Sequence, residues 1–331
     1  VLLFGGEKML SYIIRRILIM IPMMFIISVI CFTVIKLQPG SYISQYLENA
    51  RVSPQTVLML KQTLGLDKPP VEQYFYWLGN IIFHGNFGYS FAYQMPVTDL
   101  IWQYMGWTVV VSLLSMAFTW LIAIPLGIYS ARHRYGVGDY MATFLGYIGM
   151  SIPDFFLALL LMYLALSLGS RSVGGLFSVQ YIGAPWSTAK FIDLSKHLWI
   201  PMIAIGAGGI GGLMRIMRGN MMDVLNSPMI LSLRARGIGE KNVTWKHAVK
   251  NAINPLVTIA GMSLPGVFSS TIIASIVLNI PTMGPFFYSA LMNHDQYLVM
   301  AYLLMLALLL QIGNLLADIA LALVDPRIRY T

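Results

Sequence analysis

Residues 234–255 read RARGIGEKNVTWKHAVKNAINP and lie between two long apolar stretches, residues 199–217 and 256–278. They belong to a basic island, defined as residues 218–255, in which acidic residues are few. The positive charges, counted from just before the island, are Arg215, Arg218, Arg234, Arg236, Lys241, Lys246 and Lys250. Short loops with excess Lys and Arg lie on the cytoplasmic side of a membrane, so the island is expected there.

Two interpretations of the basic island are open from charge alone. In the first, it is a solvated loop that only sets the topology. In the second, it is a folded helix–Gly–helix element that docks onto a partner in the aqueous phase. The apolar residues Ile238, Val243, Trp245 and Ala248 near Gly237 favour the second, because a solvated loop has no use for Trp245.

The composition places the chain in a membrane. Hydrophobic residues make up 57% and charged residues 10% of the chain, and the mean hydropathy is +0.72, which excludes an ordinary soluble domain. Six apolar stretches reach the roughly 20 residues that a helix needs to cross a bilayer. Each is predicted to be a helix, because unpaired backbone groups cannot face lipid. The predicted spans are residues 17–37, 107–131, 140–168, 199–217, 256–278 and 300–324.

The basic residues fall on alternate loops. Of the 21 Lys and Arg residues, three precede the first span, two follow the second, seven lie in or just before the island, and two follow the sixth. Six spans with both termini in the cytoplasm require this pattern. Residues 1–16 are therefore predicted to be cytoplasmic, and Gly5-Gly6-Glu7-Lys8 resembles a translated ribosome-binding site, which favours Met9 as the native start.

Residues 38–106 are predicted to form an extracytoplasmic segment with helices of its own. Ser53-Pro54 is typical of a helix start, and the helix is expected to run to Leu64. A second helix over residues 71–83 carries an apolar stripe of Tyr74, Leu78, Ile81 and Ile82 beside Trp77. A docking platform for an external partner and a lid that packs on the spans are equally compatible with this pattern.

A second outer loop is predicted over residues 169–198.

Several chemistries are excluded by the motifs. The chain has no P-loop, no nucleophile motif and no cysteine pair, and its five histidines are scattered, so no catalytic residue and no metal site are predicted. No nucleic-acid module accompanies the basic residues. Gly206-Ala207-Gly208-Gly209-Ile210-Gly211 matches G-x-G-x-x-G in letters, but it lies within a predicted span, where small residues serve close helix packing.

The acidic residues within the predicted spans are limited to Asp154, beside Pro153, and Asp318. Each costs about 2.5–3.5 kcal/mol at mid-membrane on insertion scales, so each needs a buried or wet environment. Ion-coupled secondary transporters carry more polar groups at the midplane. The small number of such charges favours a pore whose energy is supplied by another protein.

The chain resembles the permease subunit of binding-protein-dependent ABC importers of the dipeptide/oligopeptide/nickel class. The resemblance covers nearly the whole chain and rests on the order and spacing of many short pieces. These are residues 64–69 (LGLDKP), 73–74 (QY), 85–90 (GNFGYS), 96–97 (PV), 151–153 (SIP), 197–198 with Pro201, 218–225, 234–237 (RARG), 247–255 and 325–329 (DPRIR).

The resemblance implies an all-α polytopic fold, with six transmembrane helices of the type I ABC importer permease kind and an extracytoplasmic segment between helices 1 and 2. Residues 107–331 would form the transmembrane core, and residues 218–255 its coupling loop. It also implies the prokaryotic inner membrane and a set of partners: a second permease subunit in a heterodimer, two ATPases that bind ATP and Mg, and an external solute-binding protein. Cargo would be an oligopeptide or dipeptide, with a metal chelate or an oligosaccharide as alternatives.

Site residues follow from the same resemblance. The ATPase-coupling residues would be Met229, Arg234, Ala235, Arg236, Gly237 and Ile238. The family's coupling helix usually begins with an acidic residue and Tyr, whereas this chain has Ser227-Pro228-Met229, and its Pro could itself start the helix. Ser275 stands where the family often has an acidic residue near the outer end of span five, and Ser275 and Asp154 are the candidate pathway residues.

The rival hypothesis is a secondary transporter or channel that works without an ATPase. Such a protein needs no folded island on the cytoplasmic side. It would also not co-purify with an ATPase, which separates the two hypotheses by experiment.

The predicted topology can be tested by thiol labelling. Cysteines introduced at Gln55 and Lys190 should react with impermeant reagents from outside intact cells, with Cys31 removed as background. A cysteine at Asn242 should react only after permeabilisation, because the basic island is expected inside. Labelling of Asn242 from outside would overturn this orientation.

Overall fold

The computed structural model describes residues 3–37, 68–90, 92–170 and 172–324, together with Gln55, Leu58 and Gln62. Of the helix predicted from Ser53 to Leu64, only these three single residues are described. The terminal 325–329 motif lies outside the described residues. The described parts of Val1–Thr108 and Thr282–Gln311 form one compact unit, and those of Val109–Pro281 and Ile312–Thr331 form another.

The described chain is built from helices, with one two-stranded hairpin. The elements are α1 (Leu3–Leu37), α2 (Pro70–His84), β1 (Tyr89–Ser90), β2 (Met95–Pro96), α3 (Val97–Arg132), α4 (Val137–Ser151), α5 (Asp154–Ser167), a 3-10 turn (Val179–Tyr181), α6 (Thr188–Leu225), α7 (Pro228–Ala235), α8 (Glu240–Asn242), a π-helix (Val243–Ala248), α9 (Val249–Ala252), α10 (Asn254–Val277), α11 (Met283–Met292) and α12 (Gln296–Val324). The strands β1 and β2 are antiparallel and pair Tyr89 with Pro96.

Four of the described helices are long and apolar enough to cross a membrane. They are α1 over Ser11–Leu37, α3, α6, and α12 over Gln296–Ile319. Counting the bent pair of α4 and α5 as one span brings the number to five. The predicted fifth span, residues 256–278, coincides with α10 except for its last residue, Leu278. An all-α protein with several spans is therefore confirmed, and the total of six stays a prediction.

The predicted third span is not one continuous helix. Helices α4 and α5 meet at an angle of 101°, and Ile152 between them has an extended backbone with φ −88° and ψ 121°. The ring of Pro153 disfavours helical geometry in the residue before it and has no N–H to continue the ladder. The break places Asp154 in the first turn of α5, where the helix dipole favours negative charge.

In the first unit, helix α2 packs on α1 through its aromatic residues. The hydroxyls of Tyr74 and Ser28 are 2.7 Å apart, and the rings of Tyr74 and Phe32 meet edge to face at 5.4 Å. Trp77 is also buried. This face of α2 therefore packs on the first predicted span, as the lid alternative proposed for residues 38–106. The opposite face exposes Val71 and Phe75, and its use as a docking platform stays a prediction.

A buried carboxylate ties the hairpin to the start of α12 in the same unit. Asp295 is fully buried and accepts hydrogen bonds from the Ser90 hydroxyl at 2.6 Å and the Ala92 N–H at 3.3 Å. Gly88 has a positive φ of 105° and lies against the ring of Tyr297. A side chain at Gly88 would meet that ring, so the sequence needs glycine there.

Helix α6 is the centre of the second unit and contacts α4, α5, α7, α9, α10 and the π-helix. It begins at Thr188, and Ser187 caps it by accepting the N–H of Lys190 at 3.2 Å. The second outer loop was predicted to extend to residue 198, so its last eleven residues are helical instead. A serine cap before an apolar run is the signal that the prediction overlooked.

The beginning of α6 also buries Lys190. Its ammonium donates to the Ala184 carbonyl at 2.5 Å and lies 4.9 Å and 5.2 Å from the ring centroids of Phe177 and Trp186. A cysteine there would lose these contacts and be poorly accessible. Thr188, which is exposed, is the better labelling position.

The glycine run within α6 serves close helix packing, as predicted. A Cβ at Gly211 would lie 2.5 Å from the carbonyl oxygen of Gly146 on α4, and one at Gly206 would lie 2.8 Å from that of Ser115 on α3. The Thr119 hydroxyl donates to the Gly206 carbonyl at 2.7 Å. The backbones therefore approach so closely that no side chain fits between them.

Gly211→Ala should destabilise the protein by about 1–3 kcal/mol, because the methyl group overpacks the α4–α6 contact. Gly212→Ala is the matched control: the site is in the same helix and its Cβ would meet nothing within 4 Å, so it should be neutral or stabilising. Thermal unfolding of the purified variants measures both effects. Equal behaviour of the two variants would contradict the packing assignment.

Candidate functional site

The basic island is a folded element. Helix α6 continues to Leu225, and α7 starts with Pro228 at its first position. Proline is favoured there because its φ suits the helix and the first N–H needs no partner. The prediction that Pro228 starts the helix is confirmed.

Gly237 ends helix α7 in a Schellman motif. Its φ is +77°, its N–H donates to the Arg234 carbonyl at 2.9 Å, and the N–H of Ile238 donates to the Leu233 carbonyl at 3.2 Å. These are the two bonds that define the motif, and they satisfy carbonyls that the helix end leaves open. Gly237 thus forms the break of the helix–Gly–helix element in the left-handed conformation that glycine favours.

The inner face of the island is buried. Ile230 of α7, Val243 and Ala248 of the π-helix, and Ala252 of α9 are all nearly inaccessible and pack in one cluster with Met217 and other residues of α6. Burying a side chain such as Ile230 contributes roughly 1.5–3 kcal/mol. The interpretation as a purely solvated loop is therefore wrong.

The outer face of the island exposes apolar side chains. Met229, Leu231 and Trp245 are 44%, 55% and 54% exposed. Arg236 and Lys246 are exposed as well. Exposed apolar side chains rimmed by charge are typical of a surface that binds another protein. We refer to these five residues as the outer island residues.

A π-helix carries part of this surface. Residues Val243–Ala248 form it, with Trp245 exposed between the buried side chains of Val243 and Ala248. Such segments are rare and occur frequently at functional sites. The sequence analysis did not predict this π-helix.

Arg234 forms an ion pair within the island, and its predicted role as a coupling residue stays a prediction. Its guanidinium forms a two-pronged ion pair with Glu240, at 2.7 Å and 3.2 Å, which joins the end of α7 to the start of α8. The hydrogen bonds from Arg234 hold the pKa of Glu240 below its ordinary value of 4.5. The pair therefore contributes above that value and is lost as the pH falls through the lowered pKa. Both side chains are half exposed, so the contribution is small.

The other predicted coupling residues are distributed over both faces. Ala235 and Arg236 are exposed at the end of α7, and Ile238 is half-buried. Met229 is among the outer island residues. The structure thus brings Met229 and Arg236 to the outer face, and it places Arg234, Gly237 and Ile238 in the framework that shapes the island.

A partly buried ion pair fastens α6 to α4 at the start of the island. Arg218 donates to both carboxylate oxygens of Asp139, at 2.9 Å and 2.7 Å. The same carboxylate accepts the Tyr135 N–H at 3.0 Å in the turn that follows α3. Asp139 was missed by the sequence analysis, because its partner is 79 residues away and only the fold brings them together.

A cavity of about 640 Å³ lies between α3, α6, α10 and the bend of α4 and α5. Its lining is mostly apolar and glycine-rich, with the polar groups of Ser115, Thr119, Asp154 and Ser263. Asp154 therefore faces a cavity, as an intramembrane charge requires. Ser275 is fully buried and is not among the described lining residues, so the structure does not bring the two predicted pathway residues together.

Metal-ligating groups do not converge anywhere in the described part of the chain. The polar groups of the cavity are a carboxylate and three hydroxyls, without a nucleophile and base in contact. The apolar helices, the cavity between them and the folded island define a multi-span membrane protein with an island that packs on its helices.

Comparison with known proteins identifies the family. Residues 123–330 match the model of the binding-protein-dependent transport system inner membrane component, and residues 9–114 match the N-terminal model of such membrane components. The chain belongs to this family, and the prediction of a permease subunit of a binding-protein-dependent ABC importer is confirmed. It is a transport permease rather than an enzyme.

Individual relatives agree with this assignment. The chain is 34% identical to the oligopeptide transport system permease protein AppB of Bacillus subtilis, over 97% of this chain and 100% of the relative. It is 30% identical to the dipeptide transport system permease protein DppB of Alkalihalophilus pseudofirmus, over 97% and 100%. A chain of the MetNI methionine ABC transporter in an inward-facing crystal form shares the fold with a TM-score of 0.50 at 17% identity, covering 68% of this chain and 96% of that one.

Removing one partner of the Asp139–Arg218 pair should destabilise the protein. Arg218→Met leaves the carboxylate of Asp139, which is 4% exposed, without its partner, and should cost about 3 kcal/mol. Arg215→Met, an exposed arginine one turn earlier on α6, is the control and should have little effect. Thermal unfolding of the purified variants provides the measurement, and equal losses from both would show that the pair is not a structural clamp.

Proposed function

We propose that this chain forms half of the translocation pore of an ATP-driven importer for oligopeptides or dipeptides. Family membership supports the permease role, and the names of the relatives AppB and DppB support a peptide cargo. The observation that carries the mechanism is the folded island, whose inner face is buried on α6 and whose outer face exposes Met229, Leu231 and Trp245.

The proposed assembly supplies the chemistry from other subunits. A second, related permease subunit completes the pore in a heterodimer. Two cytoplasmic ATPases bind ATP and Mg, and an external solute-binding protein delivers cargo. This chain itself holds no cofactor and contacts membrane lipid along its spans.

Orientation and organisation follow the positive charges. Residues 1–16 and both termini are proposed to be cytoplasmic, residues 17–37 to form the first span and residues 38–106 the extracytoplasmic segment. Residues 107–331 then make up the core, with the coupling loop at residues 218–255. The protein is accordingly assigned to the prokaryotic inner membrane.

The island transmits force through rigid connections. ATP-driven closure of the ATPases would displace the outer island residues. Ile230 and Val243 are packed on α6, and Arg218 clamps α6 to α4, so such a displacement moves the spans rather than deforming the island. Interdigitated interiors transmit displacement because they resist compression. The helices that move are those that line the 640 Å³ cavity.

Asp154 is the proposed pathway residue within that cavity. Its carboxylate is the one formal charge among the described lining residues and would meet a cationic group of the cargo. Ser275 would reach the pathway only in a state that opens the outer end of α10, and this part of the proposal rests on the resemblance alone. A carrier without an ATPase would not need the folded island.

Gly237→Val should lower ATP hydrolysis stimulated by the binding protein and peptide uptake together, while the spans stay inserted. Valine in the left-handed region costs about 1–2 kcal/mol or more, so the Schellman motif and the position of α8 are disturbed. Uptake of a labelled oligopeptide into proteoliposomes containing the complete transporter measures the effect. Unlabelled peptide should compete with this uptake, and an oligosaccharide should not.

Gly239→Val is the matched control, since Gly239 lies two residues further along with an ordinary φ of −63° and open space around its Cα. It should retain most of the coupled activity. Full transport by the Gly237 variant would show that the island is only a topology signal. Competition by the oligosaccharide alone would replace the peptide assignment.

A further inference from the structure

A second cavity, of about 270 Å³, lies where the end of α3 meets the island. We call it the arginine cavity. Its lining combines three guanidinium groups with one carboxylate. The lining residues are Ala131, Arg132, Arg134, Met222, Leu225, Asn226, Arg234, Glu240 and Thr244.

The arginine cavity has an excess of positive charge. Arg234 and Glu240 neutralise one another in their ion pair. Arg132 and Arg134 form no ion pair with any residue in the described ranges. Two guanidinium charges are thus left over at one cavity. That balance suits a ligand with one or two negative charges.

A buried hydroxyl supplies a second, independent indication. Thr244 is fully buried in the π-helix and borders the cavity. Its Oγ1 has no hydrogen-bond partner among the residues that the structure describes, although a threonine in a helix can bond to a carbonyl one turn back. Buried polar groups normally have a partner, so this hydroxyl is available to a ligand in the cavity.

We propose that the arginine cavity binds a phosphate group, supplied by the headgroup of an anionic phospholipid from the inner leaflet. Guanidinium groups match phosphate oxygens in charge and in two-pronged geometry. Basic pockets at the cytoplasmic ends of membrane helices bind such headgroups. The lipid source rests on the proposed orientation, which puts Arg132 and the island at the cytoplasmic surface.

The consequence is a bridge between the spans and the island. Arg132 ends α3, Arg134 lies in the following turn, Arg234 ends α7, and Thr244 belongs to the π-helix. A phosphate held by Arg132, Arg134 and Thr244 joins the end of α3 and its following turn to the π-helix, beside the Arg234–Glu240 pair. An occupied cavity would therefore stiffen the connection through which the island moves the spans.

A carboxylate from a partner ATPase is the competing occupant. The apolar outer island residues Met229, Leu231 and Trp245, which suit a protein surface, are not among the lining residues of this cavity. The lining instead includes Ala131 and Arg132 at the end of a predicted span. This location favours the lipid headgroup.

The test uses the complete transporter, purified in detergent and reconstituted into nanodiscs of phosphatidylcholine alone or mixed in equal parts with phosphatidylglycerol. Native mass spectrometry reports the lipid retained on the complex. The wild type should retain phosphatidylglycerol in preference to phosphatidylcholine. Arg132→Gln/Arg134→Gln should reduce this retention about tenfold or more, because two charge-assisted donors are lost.

Two further variants separate the site from general charge attraction. Thr244→Val keeps the shape and the net charge and should reduce retention by roughly threefold to tenfold, the effect of one lost hydrogen bond. Lys241→Gln/Lys250→Gln removes the same charge as the double arginine variant, from exposed positions that do not line the cavity. It should retain the lipid as the wild type does.

A second arm identifies the source of the phosphate. Inorganic phosphate and pyrophosphate are titrated into the lipid-depleted complex and followed by ³¹P line broadening. Competition of pyrophosphate with phosphatidylglycerol at the cavity supports the proposal. Phosphate binding that the cavity variants abolish, with lipid retention unchanged, overturns the lipid source in favour of free phosphate.

The proposal is overturned outright if the cavity variants and the lysine control behave alike, or if cross-linking places an ATPase carboxylate beside Arg134. These binding measurements on the isolated complex depend neither on its orientation in a cell membrane nor on cargo. A failure of peptide uptake would therefore reject the proposed function without altering the result for the arginine cavity.

Discussion

The packing of the island's inner face on α6 is the contact on which the rest of the functional structure depends. Ile230 and Val243 are fully buried against Met217 and Met221, in one cluster that extends to α3, α4 and α10. Without this cluster, a basic segment of such length between two spans would be solvated. Apolar burial on α6 thus folds a segment whose charge alone would make it only a topological signal.

Helix α6 is long and rich in small residues because it packs against the island and against several other helices. Toward the island it presents methionines that fill irregular space between several helices. Further back it presents Gly206 and Gly211, which let α3 and α4 approach to backbone contact. Between these two regions, the Asp139–Arg218 ion pair joins α6 to α4. One helix therefore links the island, the clamp and the cavity wall.

The bend at Pro153 gives the cavity its charge. In a straight helix over residues 140–168, every backbone group would be paired within the helix. Nothing in such a helix would direct the Asp154 side chain toward the cavity. The break sets the carboxylate at a helix start beside a 640 Å³ cavity, next to Ser115 and Thr119. Irregular backbone is tolerated at membrane depth where it lines such a cavity. The polar part of this cavity is thus a product of tertiary geometry.

The sequence by itself determined the helical class, the position of most spans, the start of α7 at Pro228 and its end at Gly237, because these depend on local hydropathy and backbone preference. Only the tertiary structure decided the Asp139–Arg218 ion pair and the ion pair of Arg234 within the island. It also decided the burial of Lys190 at the beginning of α6 and the formation of the arginine cavity beside Thr244. Those features join residues far apart in the chain. Their partners are selected by the packing of helices, and no local pattern encodes which side chains will meet.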